Sequence, residues 1–270
     1  EVLENSSKKM KFSIINIDDP YGLKLYEEIS GEKISYSLKN KKSDIYSEKY
    51  KFSDKGITAE IKTPRGRLIL RSKLLGEHNL YNLMAAAGTA LQIGSSIESI
   101  EKALNSISHI PGRLEVIENK QNINVLVDYA HTPDALQNVL SSLRPICKGR
   151  LITVVGCGGD RDKKKRPLMG KIAEDNSDYL IITSDNPRTE NPELIIEDIL
   201  RGINKTNNSN FKTIIDREEA ISHSINIAKT GDTVLIAGKG HENYQIVGVN
   251  KFHFDDREVA KKYLRKKELQ

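Results

Sequence analysis

The chain has no tryptophan, two cysteines in 270 residues, and an aromatic content of 6%, so its cores must rest on aliphatic side chains. Cys147 and Cys157 stand in neither a CxxC nor a Cys/His spacing, which argues against a disulfide scaffold and a cysteine-based zinc site. Both fit small buried residues in a reducing compartment, and a cytoplasmic location is expected. No apolar run approaches the ~18 residues of a membrane span, and no signal-peptide core stands at the start, so no membrane partner is expected. A strong charge of one sign is also missing. The 42 basic and 37 acidic residues leave +5, spread along the chain. A nucleic-acid binder would concentrate its positive charge on one face, so small anionic ligands are expected instead. The opening Glu1-Val2-Leu3-Glu4-Asn5 lacks an initiator methionine and reads as the tail of a helix, so a piece of something longer is expected.

What is present is most informative from Val155 to Pro167. Gly156-Cys157-Gly158-Gly159 follows the apolar strand candidate Leu151–Val155, and Arg161, Lys163, Lys164, Lys165 and Arg166 come next. Glycines let a ligand approach the backbone closely, and the cations offer partners for carboxylate or phosphate oxygens. The plainer reading is a solvated basic loop after an ordinary βα turn.

A chain of this length suits about two domains. Phe12–Ile17 is a strand candidate closed by the turn formers Asp18-Asp19-Pro20, and residues 33–73 alternate like short, solvent-facing antiparallel strands. A helix is predicted over Asn79–Gln92 and another over Ser96–Ile107 with a serine N-cap. Ile110-Pro111-Gly112-Arg113 breaks the pattern and is the candidate linker between domains 1–109 and 110–270. Beyond it, strands at Val125–Tyr129, Leu151–Val155, Tyr179–Thr183, Phe211–Ile215 and Val234–Ala237 alternate with helices. Those helices span Pro133–Ile146, Pro167–Asn176, Pro192–Ile203 and Arg217–Lys229. Asn204–Asn210 reads as a polar loop. Continuous β-branched runs separated by helices predict an α/β fold, Rossmann-like and mainly parallel. The ends of parallel strands share one edge, so four polar clusters converge there. They are Asp128–Pro133, Gly156–Pro167, Ser184–Glu190 and Ala237–Glu242.

Together with Gly76-Glu77-His78-Asn79-Leu80-Tyr81-Asn82 and Pro111-Gly112-Arg113-Leu114-Glu115, these clusters resemble the Mur ligase family, in its meso-diaminopimelate-adding type. The resemblance is weak over 30–73 and strong from 76 onward. It implies the C-terminal part of an ATP-binding domain followed by the family's C-terminal, amino-acid-binding domain. It also implies an ATP-dependent ligase that joins meso-diaminopimelate to UDP-N-acetylmuramoyl-L-alanyl-D-glutamate through an acyl phosphate in peptidoglycan biosynthesis, with ATP and Mg²⁺ as cofactors. A monomer without nucleic-acid or membrane partners is expected. The sequence lacks the family's phosphate-cradling Gly-x-x-x-x-Gly-Lys-[Ser/Thr]. The UDP-binding domain is missing too, and the family's carbamylated lysine is expected just before Glu1. The piece is therefore expected to bind ligands poorly and to catalyse nothing unaided.

Carried over residue by residue, the resemblance assigns Asn79 and Asn82 to the adenine and Arg113 to the phosphates. Asp128, Tyr129 and His131 line the nucleotide side, and a hinge at Ile110–Arg113 closes the two domains. Arg161 binds a substrate carboxylate. Asp185, Asn186 and Arg188 read the far end of the amino acid, with the Gly238 carbonyl and Glu242 taking an ammonium. The plainer alternative for the two asparagines is helix capping, and for the Asp185-Asn186 pair an Asx turn. A lysine-adding ligase and a non-catalytic ligase-derived binding module remain as alternatives. A nucleotide-binding oxidoreductase ranks low, because the Gly-x-Gly-x-x-Gly spacing is not met.

Overall fold

The computed structural model describes residues 12–204 and 210–269. The reading of Glu1–Asn5 as a helix tail, and most of the 204–210 loop, lie outside them. The chain divides into two compact units, one ending at Ser108 and one beginning at His109. Among the described residues, no helix is long and apolar enough to cross a membrane.

The first unit is built on β1 (Ser13–Asn16), α1 (Pro20–Glu28), β2 (Lys33–Ser37), β3 (Ile45–Ser53), β4 (Gly56–Thr63) and β5 (Gly66–Ser72). Then come α2 (Glu77–Gln92) and α3 (Ile97–Ser106). The strands form one sheet in order β1-β2-β3-β4-β5. β1, β2 and β3 run parallel, while β3, β4 and β5 form an antiparallel meander. The expectation of a solvent-facing antiparallel region is therefore corrected at two points. β2 is parallel to both of its neighbours, and one face of the meander is core, with Ile57, Ala59, Ile61, Leu68 and Leu70 buried under α2 and α3. Asp18-Asp19-Pro20 is a helix start rather than only a turn. Asp19 accepts from the Tyr21 and Gly22 amides, and Pro20 occupies the first position, where its missing N–H costs nothing. Ser96 caps α3 by accepting from the Ser99 amide, as its position predicts.

The second unit runs β6 (Glu115–Val116), β7 (Asn124–Asp128), α4 (Pro133–Leu143), β8 (Leu151–Val155), α5 (Lys165–Asn176), β9 (Tyr179–Ile182) and α6 (Pro192–Leu200). It continues with β10 (Phe211–Thr213), α7 (Arg217–Ile227), β11 (Thr233–Ala237), the hairpin β12 (Tyr244–Val247) and β13 (Asn250–His253), and α8 (Asp256–Glu268). The sheet order is β10-β9-β8-β11-β7-β6, parallel except for β6. β8 and β11 are buried at every position, as central strands covered on both faces should be. One face packs Val125, Val127, Ile152, Val154, Ile181, Val234 and Ile236 against α7 and α8. Helices α4, α5 and α6 lie side by side over the other. The hairpin and α8 were not foreseen.

Candidate functional site

Because β7, β8, β9 and β11 are parallel, the loops after Asp128, Val155, Ile182 and Ala237 leave the same edge of the second sheet. Two polar groupings form there.

The first surrounds Tyr129. Arg113 lies 5.3 Å from its ring centroid, at cation–π distance, and the rings of His131 and His241 lie 4.5 and 5.3 Å away. Nδ1 of His131 is 2.8 Å from the Tyr129 carbonyl oxygen. Asp128 is buried and works as a backbone clamp, accepting from the amides of Leu114 at 2.7 Å and Ala130 at 2.8 Å. Burial raises its carboxyl pKa, while those two amides and the Arg113 charge oppose the rise. Gly112 and Gly240 interlock beneath this cluster. A Cβ on Gly240 would lie 2.7 Å from the Tyr129 Cβ and 2.9 Å from the Gly112 oxygen, and one on Gly112 would run into the His241 amide. Both glycines have positive φ, 66° and 53°, so close approach and backbone conformation each demand glycine here. The 110–113 segment is a tight turn, with the Arg113 amide donating to the Ile110 oxygen at 3.0 Å.

The second grouping draws on three loops. Asn186 is buried; its Nδ2 donates to Glu242 Oε2 at 2.9 Å, and its Oδ1 accepts from the Ile246 amide at 3.0 Å and Lys239 Nζ at 3.2 Å. Gln245 Nε2 donates to the Asp185 carbonyl at 2.7 Å. The Gly238 amide donates to the Asp128 carbonyl, and a Cβ on Gly238 would approach Asp185 Oδ2 at 3.0 Å. Arg188 is stitched to β12 by its own backbone, donating to Ile246 and accepting from Gly248. Its Nη1 donates to the Gly159 carbonyl at 2.8 Å, leaving Nε and Nη2 without a hydrogen-bond partner among the described residues. A Cβ on Gly158 would sit 2.9 Å from Arg188 Nη1 and 3.8 Å from Arg161 Cγ, so the two arginines flank that glycine. Arg161 is exposed and, among the described residues, donates only to the Asp160 carbonyl.

The rest of the basic cluster is partly structural. Arg166 is fully buried, forking onto Glu190 at 2.8 and 3.0 Å and reaching Asp198 at 3.0 Å. Lys163 adds an ion pair to Glu190 at 3.1 Å. Glu190 therefore belongs to Arg166 and Lys163, leaving Arg188 free of it. Arg217, also fully buried, forks onto Asp256 at 2.7 and 2.8 Å and donates to the Ala237 oxygen at 3.0 Å. That pair ties the starts of α7 and α8 to the end of β11. Sequence reasoning placed Arg166 and Lys239 in polar clusters and gave Arg217 no role, but foresaw the burial of none of them, since charged side chains read as solvated.

Asn79 and Asn82 belong to the first unit. Asn79 is buried on α2, and its Nδ2 donates to the Leu75 carbonyl at 2.7 Å; Asn82 Nδ2 lies 3.4 Å from Asn79 Oδ1. Neither caps α2, which opens after Gly76 with no side-chain cap. A groove of about 820 Å³ lined by Ser184, Pro187, Thr213, His223, Gln245 and Val247 borders the 184–190 loop. Asp185, Asn186, Arg188 and Glu242 lie outside its lining, so the convergent polar groups are not there. Among the described residues there is no cluster of three or more His, Cys, Asp or Glu side chains able to hold a metal ion.

Two α/β units, the second with arginines, a carboxylate and an amide gathered at the strand ends, have the architecture of a Mur ligase. The Mur ligase middle-domain profile matches residues 1–90 and the Mur ligase glutamate ligase domain profile residues 112–240. The chain belongs to the Mur ligase family. Among curated relatives, the UDP-N-acetylmuramoyl-L-alanyl-D-glutamate–2,6-diaminopimelate ligase of Trichormus variabilis is 48% identical over 260 residues, 95% of this chain and 52% of its own length. The ligase of the same name from Fusobacterium nucleatum is 46% identical over 266 residues, 97% of this chain and 53% of its own. A solved structure bearing that enzyme name superposes with a TM-score of 0.67 at 37% identity, covering 96% of this chain and 54% of that one. The chain thus spans about half the length of the curated relatives it matches. The Thermotoga maritima MurF ligase solved with ADP shares the fold at 19% identity and a TM-score of 0.69, over 98% of this chain and 56% of that one.

Proposed function

We propose that this chain forms part of an ATP-dependent ligase that joins meso-diaminopimelate to the D-glutamate of UDP-N-acetylmuramoyl-L-alanyl-D-glutamate. In this reading the first unit is the C-terminal part of the ATP domain and the second receives the amino acid. The observation that carries it is the pairing of Arg188 with Arg161 around Gly158, close to the Asn186–Glu242 hydrogen bond. A guanidinium held by Nη1, with Nε and Nη2 open, presents donors to a planar carboxylate. Glu242 offers an acceptor for an ammonium. Those are the two groups at the far end of meso-diaminopimelate, and lysine has only the second. The 2,6-diaminopimelate in the relatives' names supports the same choice.

The chemistry follows from the parts. The γ-phosphoryl of ATP passes to the glutamate carboxylate, giving an acyl phosphate and ADP. The amine nitrogen of the incoming amino acid attacks that carbonyl. The tetrahedral adduct expels inorganic phosphate and loses a proton, leaving the amide. The second unit's task is to hold the amine in place, a positioning effect that by itself lowers barriers greatly. Arg113, Tyr129 and His131, beside the buried Asp128, give a cationic and aromatic surface suited to a nucleotide, and Asn79 and Asn82 are assigned to the adenine. Magnesium would neutralise the phosphates; among the described residues no group of three or more His, Cys, Asp or Glu side chains is placed to hold it.

The test offers meso-diaminopimelate and L-lysine at equal concentration to the full-length protein that carries these residues and counts each product. A guanidinium facing a substrate ammonium at 4 Å is unfavourable by about 4 kcal/mol at an effective dielectric of 20, so meso-diaminopimelate should dominate. Arg188→Ala should cost about 30-fold in the preference, the worth of a charge-assisted hydrogen bond. Preferred use of lysine by the unmodified protein refutes the reading.

A further inference from the structure

One buried charge in the second grouping has no part in the reading above. Lys239 is fully buried, and a buried ammonium persists only where acceptors surround it. Its acceptors are Asn186 Oδ1 at 3.2 Å and Glu242 Oε2 at 3.3 Å. Asn186 closes the triangle by donating Nδ2 to the same Oε2 at 2.9 Å. This geometry is directional. The Asn186 amide cannot turn over, because its oxygen meets two donors, Lys239 and the Ile246 amide, while its nitrogen meets an acceptor. Glu242 Oε2 is occupied twice, and Oε1 has no hydrogen-bond partner among the described residues. The Glu242 side chain keeps 18% of its surface open, so the unoccupied oxygen is the one a ligand can use.

We propose that Lys239 is a positioning residue of the amino-acid pocket, which holds Asn186 in one orientation and turns Glu242 so that Oε1 alone receives the substrate ammonium. It touches no substrate itself and acts through its two partners. The assignment rests on the reading of this pocket as the amino-acid site. An apolar side chain of the same length at 239 leaves Oε2 with one donor instead of two and the Asn186 oxygen with the Ile246 amide alone. The ammonium then meets an acceptor that is less firmly held in place.

The experiment measures ADP release dependent on meso-diaminopimelate in the full-length protein, for the unmodified form, Lys239→Met, Glu242→Gln and the double variant. Lys239→Met should raise the KM for meso-diaminopimelate about 10-fold or more, the range for losing a hydrogen bond to a charged group, with the KM for ATP within about 2-fold. In the Glu242→Gln background the same change should add less than about 3-fold, because groups in one network do not act additively. Equal rises in both KM values, or full additivity in the double variant, overturn the positioning role. If Lys239→Met does not fold, Lys239→Gln is compared in the same cycle under the same criteria. An unmodified protein that ignores meso-diaminopimelate instead removes the functional reading, and this assignment with it. Normal use of meso-diaminopimelate with an unshifted Lys239→Met removes the assignment alone.

Discussion

At the scale of single residues, the two cysteines show how environment separates identical side chains. Cys157 is buried in the turn after β8, and desolvation pushes its thiol pKa up to about 12. Only a thiolate is nucleophilic, so Cys157 should be inert in the folded protein despite the cations that follow it in sequence. Cys147 is half-buried, with its Sγ donating to the Gly149 carbonyl at 3.3 Å. A disulfide reagent at pH 8 should therefore titrate one thiol in native protein and two after unfolding, and Cys147→Ser should abolish the native reaction. Two fast thiols in native protein would contradict this placement. The same opposition of burial and partners decides the charged residues. Arg166, Arg217 and Lys239 are fully buried, and each has a carboxylate within 3.3 Å. Nothing in a linear sequence distinguishes them from Lys163 or Arg161, which remain exposed.

At the scale of elements, Glu190 pins the basic loop to the start of α6. It accepts from Arg166, from the Asp160 amide and from Lys163, and the Arg166 hydrogen bonds chiefly hold its carboxyl near a pKa of about 2, against 4.5 for the unperturbed group. A carboxylate depressed on folding contributes stability that is fully present above its unfolded value. That contribution fades as pH falls from 4.5 towards 2. Urea unfolding at pH 6 and pH 3 should show a loss that is smaller in Glu190→Gln; an equal loss would remove Glu190 from the acid response. The elements also show what was readable beforehand. β8 and β11 were legible because burial on both faces demands continuous apolar runs, and α3 because Ser96 advertises its cap. α8 was not, since in Asp256–Glu268 only Asp256, Val259, Ala260 and Leu264 are buried, too sparse a stripe to stand out among its charges. The hairpin of β12 and β13 escaped because its strands are four residues each and largely exposed, with no apolar alternation to mark them. Its hold on Arg188 and Asn186 comes from backbone groups, and its hold on Asp185 from one glutamine, none of which stands out in the sequence. α1 was missed where Asp19 and Pro20 serve a turn and a helix start equally well. In the site, the loops could be located from sequence, whereas the sharing of Glu242 by Asn186 and Lys239 depends on residues more than 50 positions apart.

At the scale of the molecule, each unit has its own hydrophobic core, one around Ile45, Leu68, Leu80 and Met84 and one around Val127, Val154, Ile221 and Ile236. A unit with a complete core meets the requirement for folding by itself. Residues 109–270 expressed separately should show one cooperative thermal transition and resist proteolysis; dye-binding, non-cooperative behaviour would show that the second unit depends on the first. The order of its sheet has a further consequence, in time rather than space. β11 comes last in sequence among the parallel strands yet stands between β7 and β8, which do not pair with each other. A chain emerging amino end first can join β8 to β9 and β9 to β10, but the loop after β7 has no fixed distance to the loop after β8 until residues 233–237 arrive and wedge between them. The grouping therefore cannot form during synthesis until residues 233–237 and the segment that follows them are made, and a chain interrupted before residue 233 would carry Arg161, Asp185, Asn186 and Arg188 without Lys239 or Glu242 to meet them.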